Sequence, residues 1–359
     1  MSNLFYKIIS PNRKWYWFPI FWLLRFISLF YLMGHHFRLW AYRWGIFPQR
    51  SLDCRVISVG NLTLGGTGKT PFVIMIAETL RGNGLKPAIL TRGYGGKSKS
   101  PVNVVCDGKT LLLPPDQVGD EAVMMAEKLK NVPILTGSDR FQTGRFALEN
   151  YEIDTLILDD GFQHLALRRD LDILLCDHKR PLGNNHLFPA GELREPASET
   201  RRADMVCFTR FLGGPIKFSQ KYLGSIPQIK AHFRLDSLIN MESGEVCDAE
   251  ILKNQPVVAF CGIANPEGFR QILQDTQVQI KVFKIFPDHY EYSLNDIKKL
   301  ESQALTEGGK FVLLSEKDAV KLKGMNFSLP FYKVVIDLEI LEGREIFNKQ
   351  ITNKGLGIN

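Results

Sequence analysis

The chain has 359 residues, enough for two domains at about 100–200 residues each. With 45% hydrophobic and 23% charged residues, it has the balance of a soluble globular protein. The net charge of +7 sits in one segment: residues 1–50 carry seven Lys or Arg and no acid, while the rest holds 38 basic against 38 acidic residues, which excludes a protein that generally coats nucleic acid.

The same first segment holds all five Trp (15, 17, 22, 40 and 44) and 16 of the 39 aromatic residues. Its centre, WYWFPIFWLLRFISLFYLM (15–33), is apolar but interrupted by Pro19 and Arg25. A cleavable signal peptide is disfavoured, because the run is long and no small-residue cleavage site follows it. The run is long enough for a bilayer-spanning helix, but that would set Arg25 near mid-bilayer. An interfacial helix fits better, with Trp, Tyr and Phe at the headgroup boundary and Lys and Arg meeting anionic lipid. A buried or partner-facing hydrophobic arm is the third reading. In each case the rest of the chain should face the cytosol.

From residue 52 short apolar runs alternate with amphipathic ones. CRVISVG (54–60) predicts a buried strand, and the spacing of Phe72, Ile76 and Leu80 predicts a helix from Lys69 to Arg81. Strands are expected at 87–90, 103–106, 132–135, 154–158, 171–176 and 204–208, with helices at 120–130 and 139–151. Continuous apolar strands between helices indicate an α/β fold with a mostly parallel sheet covered on both faces. Polar turns and short extended pieces such as QIKAHFRL (228–235) break the rhythm near 225–256. It restarts with strands at 256–263, 278–286, 310–315 and 331–336 and helices to Leu273 and over 294–305. The expected organisation is a membrane-associating segment 1–50, an α/β domain 51–227 and a smaller α/β domain 228–359. The six Cys form no C-x-x-C pair and read as reduced thiols of a cytosolic compartment.

TLGGTGKTP (63–71) nearly matches a phosphate-binding loop; Gly68, Lys69 and Thr70 are in place, but Thr63 stands where the first Gly is usual. It follows an expected strand and opens an expected helix. In that context the backbone of Thr63, Leu64, Gly65, Gly66, Thr67 and Gly68 would wrap phosphate, Lys69 would reach its outer oxygens, and the Thr70 hydroxyl would bind Mg²⁺. Such a loop needs a metal-binding carboxylate at a neighbouring strand end, and TLILDDG offers Asp159 and Asp160. TRGYGG (91–96) suits close backbone approach, and VGDEA (118–122) opens a helix with two acids, which helix N-termini favour in any case. LFPAGELREP (187–196) reads as a surface loop or a lid. FPDHYEY (286–292) ends a strand with Asp288 and His289, and SEKDAVKL (315–322) reads as a charged helix start, a solvated cap.

Taken in order, the aromatic N-terminus, SVGNLTLGGTGKTP (58–71), TRGYGG, GDE (119–121), DDGFQH (159–164), PAGELREP (189–196), GIANPEGF (262–269), FPDH and SEKDAVKL resemble the tetraacyldisaccharide 4′-kinase family, over essentially the whole chain. Thr63 at the first loop position is itself typical of that family. The resemblance implies a P-loop NTPase-like kinase domain and a second domain closing on ATP. It implies transfer of the γ-phosphoryl group of ATP to the 4′-hydroxyl of a lipid A disaccharide precursor, with Mg²⁺ required. Residue by residue it implies phosphate and metal contacts from Lys69 and Thr70, and a base, Asp120, paired with His289. Glu121 and Asp159 would join the metal shell, Asp160 would orient the loop or a metal water, and Arg194 and Glu195 would hold phosphate and lid. The chain departs from the family pattern at Tyr290, where many members carry a second His. The expected setting is the cytoplasmic side of a bacterial inner membrane, as a monomer, with no nucleic-acid partner. Two rivals remain: a membrane-associated P-loop NTPase acting on a protein partner, and a non-catalytic membrane interaction protein.

Overall fold

The computed structural model describes residues 3–353; residues 1–2 and 354–359, the outer ends of the expected first and last segments, lie outside the described residues. In chain order, α1 (Asn3–Ile9) and a 3-10 turn lead into α2 (Phe18–Arg43), followed by β1 (Arg55–Asn61), α3 (Lys69–Gly82), β2 (Pro87–Thr91) and β3 (Asn103–Asp107). Next come α4 (Pro115–Val118), α5 (Asp120–Lys128), β4 (Pro133–Thr136), α6 (Arg140–Asn150), β5 (Thr155–Asp159), β6 (Leu171–Asp177) and β7 (Met205–Thr209). Then follow α7 (Gln220–Leu223), β8 (Gln228–Asn240), β9 (Val246–Asp248), β10 (Pro256–Cys261) and α8 (Pro266–Asp275). The remainder is β11 (Gln279–Ile285), α9 (Leu294–Thr306), β12 (Phe311–Ser315), α10 (Glu316–Ala319), β13 (Phe331–Glu342) and α11 (Arg344–Thr352).

These elements pack as two units. The first runs to Arg92, takes up Gly137–His232 and resumes at Ile340; the second comprises Gly93–Thr136 and Phe233–Glu339. A linear division at 227/228 therefore misses that residues 93–136 belong with the second unit. The cause is charge and packing. From α5, Asp120, Glu121 and Glu127 pair with Lys321, Lys317 and Lys323, and Lys128 donates to the Ile336 carbonyl.

In the first unit β1 lies between β5 and β6, all parallel, with β2 beyond β5 and β7 beyond β6. The register sets Val59 opposite Asp159, so the phosphate loop leaves its strand beside the carboxylate that ends β5. Ligand sites of parallel sheets lie at such carboxyl ends. The strands are buried on both faces, as continuous apolar runs require. Phe72 of α3 meets Phe347 of α11 edge-on at 5.8 Å, which covers one face.

Gly60 is needed by packing. A Cβ there would stand 2.5 Å from Phe162 Cβ and 2.9 Å from Phe162 N, and Phe162 is fully buried. Gly60→Ala is therefore expected to cost about 3 kcal/mol, read as a lower urea midpoint, because neither backbone can withdraw. An unchanged midpoint would contradict this close approach.

α2 is not a free rod. Phe21, Ser28 and His35, about two turns apart, form a buried seam, and Ala41 is buried near the helix end. Ser28 Oγ donates to the Leu187 carbonyl at 3.0 Å, and Tyr31 Oη donates to the Arg194 carbonyl at 2.7 Å. The opposite face is apolar and exposed, with Trp22, Phe26, Phe30, Met33 and Phe37 each more than half accessible.

In the second unit the order is β11, β10, β12, β13, β8, with β9 antiparallel on β8; β3 and β4 form an antiparallel pair. Along β10 alternate residues face two cores: Val257, Ala259 and Cys261 pack with Phe269 and Leu273 of α8, and Val258 and Phe260 with Ile297 and Leu300 of α9. All six Cys are free thiols.

Candidate active site

The phosphate loop begins at β1 and ends at the N-terminus of α3. Gly65 (φ +107°) and Gly68 (φ +85°) occupy backbone that side-chain-bearing residues rarely adopt, so glycine is required at both. Thr63 needs no glycine: its backbone forms a short antiparallel bridge with Leu193, and the side chain is buried. The next amide, Leu64 N, donates to the Glu192 carbonyl at 2.6 Å. From the other side, Arg210 Nη2 donates to the Gly66 carbonyl at 2.7 Å and Thr209 Oγ1 to the Thr67 carbonyl at 2.9 Å. Segments 192–194 and 209–210 thus brace the loop from two sides.

Lys69 Nζ lies 3.3 Å from Asn61 Oδ1 and 3.5 Å from Asp160 Oδ1. Arg194 Nη1 spans both oxygens of the same carboxylate at 3.0 and 2.8 Å. Burial alone would raise the Asp160 carboxyl, but Lys69 and Arg194 outweigh it and hold it below the usual carboxylate range. Asp160 itself sits at φ +53°, a left-handed position costly for a non-glycine residue and recurrent at functional sites. The turn splits the two adjacent acids. Asp159 stays buried at the strand end, taking the Thr91 hydroxyl at 3.1 Å, while Asp160 faces the loop lysine.

Arg140, at the start of α6, adds a buried cation near this pair. Burial pulls its guanidinium down to about 10, while Asp159 and Asp160 oppose the shift. His164 stays neutral, its imidazole pushed down to about 4 by burial, with Arg140 and Arg169 adding to the effect. Thr70 and Asp159 supply hard oxygen donors, the kind Mg²⁺ takes from a protein in ones and twos while phosphate and water complete the shell. The residues present therefore fit that ion.

Arg194 and Glu195 point to different tasks. Glu195 is 1% exposed and accepts from Arg38 of α2 at 3.2 Å and from Arg202, with His35 at 3.8 Å. Burial pushes its carboxyl up despite these cations. The Glu195 side chain ties α2 to the 3-10 turn Ala197–Arg202, whereas Arg194 reaches Asp160.

The second unit gathers Asp120, Glu121, Asp288 and His289. His289 Nδ1 is 3.1 Å from Asp120 Oδ2, and Lys321 Nζ approaches the same oxygen at 3.0 Å. Burial raises the Asp120 carboxyl, but the donors from His289 and Lys321 prevail and keep it ionised below the usual range. Lys317 Nζ meets Glu121 Oε1 at 3.2 Å, Asp288 Oδ1 at 3.0 Å and His289 Nε2 at 3.2 Å. His289 is held at φ +61°. The TRGYGG loop packs on it: the Tyr94 ring lies 5.3 Å away, and a Cβ on Gly95 would touch Nδ1 at 3.3 Å. At the position of the missing second His, Tyr290 Oη donates to Asp296 at 3.2 Å and the ring packs on Phe286.

Sequence reasoning missed Asn61, Arg140, Arg210, Lys317 and Lys321. SEKDAVKL is no solvated cap, since Lys317 is 8% exposed and Asp318 fully buried. Asp318 accepts from Gly262 N at 2.9 Å and Tyr292 Oη at 2.9 Å. The signal available was the i,i+4 spacing of Lys317 and Lys321, which places two cations on one side.

The sequence profile of the family described as tetraacyldisaccharide-1-P 4′-kinase matches residues 20–355. The tetraacyldisaccharide 4′-kinase of Syntrophus aciditrophicus (strain SB) is 41% identical over 336 residues, 90% of this chain and 90% of the relative. That of Geobacter sulfurreducens is 40% identical over 306 residues, 85% of each chain. Among solved structures, LpxK from Aquifex aeolicus in complex with ATP superposes with a TM-score of 0.77 at 34% identity, covering 92% of this chain and 98% of that one. The chain belongs to the tetraacyldisaccharide-1-P 4′-kinase family.

Proposed function

We propose that the protein transfers the γ-phosphoryl group of ATP to the 4′-hydroxyl of a tetraacyldisaccharide 1-phosphate, a step of lipid A synthesis. The observation that carries this reading is the intact pair of charge clusters, Lys69–Asp160–Arg194 and Asp120–His289, in a chain of a kinase family. Phosphoryl transfer is mostly positioning and charge stabilisation. The loop amides and the α3 N-terminus bind the phosphates, and Lys69 follows charge onto the leaving oxygen. Arg194 steadies Asp160, which keeps Lys69 aimed. Thr70 and Asp159 would hold Mg²⁺, which neutralises phosphate charge when bound. Glu121, read from the resemblance as part of that shell, is engaged by Lys317 and is better assigned to the Asp120 cluster.

Asp120 takes the proton of the sugar hydroxyl. Both its donors hold Oδ2, and no donor reaches Oδ1 among the described residues, so Oδ1 accepts. His289 orients that carboxylate.

The acceptor is a lipid, and α2 supports work at the cytoplasmic face of the inner membrane. A span would have to strip the polar seam contacts of Ser28, Tyr31 and Arg38 from the protein. Lying in the interface keeps them and gives the exposed aromatic face to lipid.

The deciding assay follows labelled γ-phosphate from ATP in detergent micelles containing the disaccharide 1-phosphate lipid. The label is expected in the lipid, separated by thin-layer chromatography. Brisk release of free phosphate with no labelled lipid would overturn the reading and favour a nucleotide-hydrolysing switch.

A further inference from the structure

We propose that Lys317 is a positioning residue of the kinase: its ammonium locks His289 in the neutral tautomer protonated at Nδ1, so that the imidazole donates to Asp120. The inference rests on the reading of Asp120 as base only for its catalytic consequence, not for the tautomer itself.

The argument is a donor count. An ammonium has three N–H donors and no acceptor. Lys317 has three neighbours in reach: Asp288 Oδ1 at 3.0 Å, Glu121 Oε1 at 3.2 Å and His289 Nε2 at 3.2 Å. The first two are carboxylates. The third accepts only if Nε2 carries a lone pair, which excludes both the Nε2–H tautomer and the imidazolium; either would set N–H against N–H. The remaining ring proton then sits on Nδ1, facing Asp120 Oδ2 at 3.1 Å. Lys317 is a buried lysine, and a buried cation must have its partners met, so it is not free to swing away. Burial would lower its ammonium, but Glu121 and Asp288 more than compensate and keep it charged.

The ring is confined on one side: its backbone is left-handed at φ +61°, and Tyr94 packs on it at 5.3 Å. Lys321 holds the same Asp120 oxygen from its own side at 3.0 Å. Lys317 thus acts on the base through His289, one bond removed from the chemistry. An imidazole free to flip would at times present a bare Nδ1 to the carboxylate, repelling it and turning Oδ1 from the hydroxyl.

The test reads the tautomer directly. The full chain in detergent micelles, labelled with ¹⁵N-histidine, is examined by long-range ¹H–¹⁵N correlation at pH 7.5, with His289→Gln assigning the signals. Wild type is expected to show His289 protonated at Nδ1 and bare at Nε2. Lys317→Met is expected to give a tautomer mixture or the imidazolium, with kcat down at least tenfold and KM for ATP unchanged. Lys317→Arg, which keeps the charge and the donors, should retain the tautomer and recover part of kcat; it decides the case if Lys317→Met does not fold. A wild-type His289 protonated at Nε2, or a folded Lys317→Met with wild-type tautomer and kcat, would overturn the proposal. Because the spectrum is read without turnover, an error in assigning Asp120 as base would leave the tautomer result standing and would show instead as an active Asp120→Asn.

Discussion

Lys69→Met is expected to lower phosphoryl transfer by about 10³-fold, the scale of removing a preorganised donor from developing transition-state charge. The loss should fall on kcat more than on KM for ATP, because the loop amides and the α3 dipole still bind the phosphates, whereas a cation on the outer phosphate gains most as charge moves onto the leaving oxygen. Folding should be untouched. Asp160 keeps Arg194 across both its oxygens, so the substitution strands no carboxylate, and the urea midpoint should stay within experimental scatter. Lys69→Arg is not a rescue. The lysine reaches between Asn61 and Asp160 as a point charge on a slim stem, and a planar guanidinium does not occupy that slot in the same way. Steady-state kinetics with labelled ATP check both variants; a Lys69→Met enzyme within tenfold of wild type would remove the loop lysine from the mechanism.

The parts of this molecule legible in its sequence are those set by neighbours along the chain. A strand, a glycine-rich turn and a helix in succession specify the phosphate loop, and the apolar run before Asp159 specifies a strand end with an acid on it. Thr63 looked irregular only against a pattern that assumes glycine. Its reason lies 130 residues away, in the bridge to Leu193, and no local reading contains it. The same limit explains residues 93–136. Their helix and strands were predictable, but their packing partners, Lys317, Lys321, Lys323 and Ile336, come from the far end of the chain. Lys317 is the sharpest instance. In sequence it is a charge beside other charges, which usually means water; in space it is enclosed by two acids and an imidazole. Adjacent residues also hide opposed roles. Asp159 and Asp160 separate because the second turns left-handed, and Arg194 and Glu195 separate in their partners, the first reaching Asp160 and the second Arg38 and Arg202.

Asp120→Asn is expected to cut kcat by about 10³-fold, within the range of positioned acid–base groups, while ATP binding persists. The two effects should separate because the proposed phosphate contacts come from the loop 63–70 and none of them from Asp120 or His289. The low proton affinity of Asp120 poses a question of magnitude, since His289 and Lys321 both favour the ionised form and weaken it as a base. A loose phosphoryl-transfer transition state answers it: the attacking hydroxyl keeps its proton until bonding to phosphorus is well advanced, so a carboxylate that is always ionised and always aimed serves better than a stronger base that is protonated part of the time. Asparagine preserves the shape and can still accept from His289, yet it offers the hydroxyl an amide in place of an anion. His289→Ala should therefore cost less than Asp120→Asn, because it loosens the carboxylate without removing it. Equilibrium binding of ATP and single-turnover transfer to the lipid, measured on the same preparations, decide the point: full transfer by Asp120→Asn, or ATP binding lost together with transfer, would take Asp120 out of the role of base.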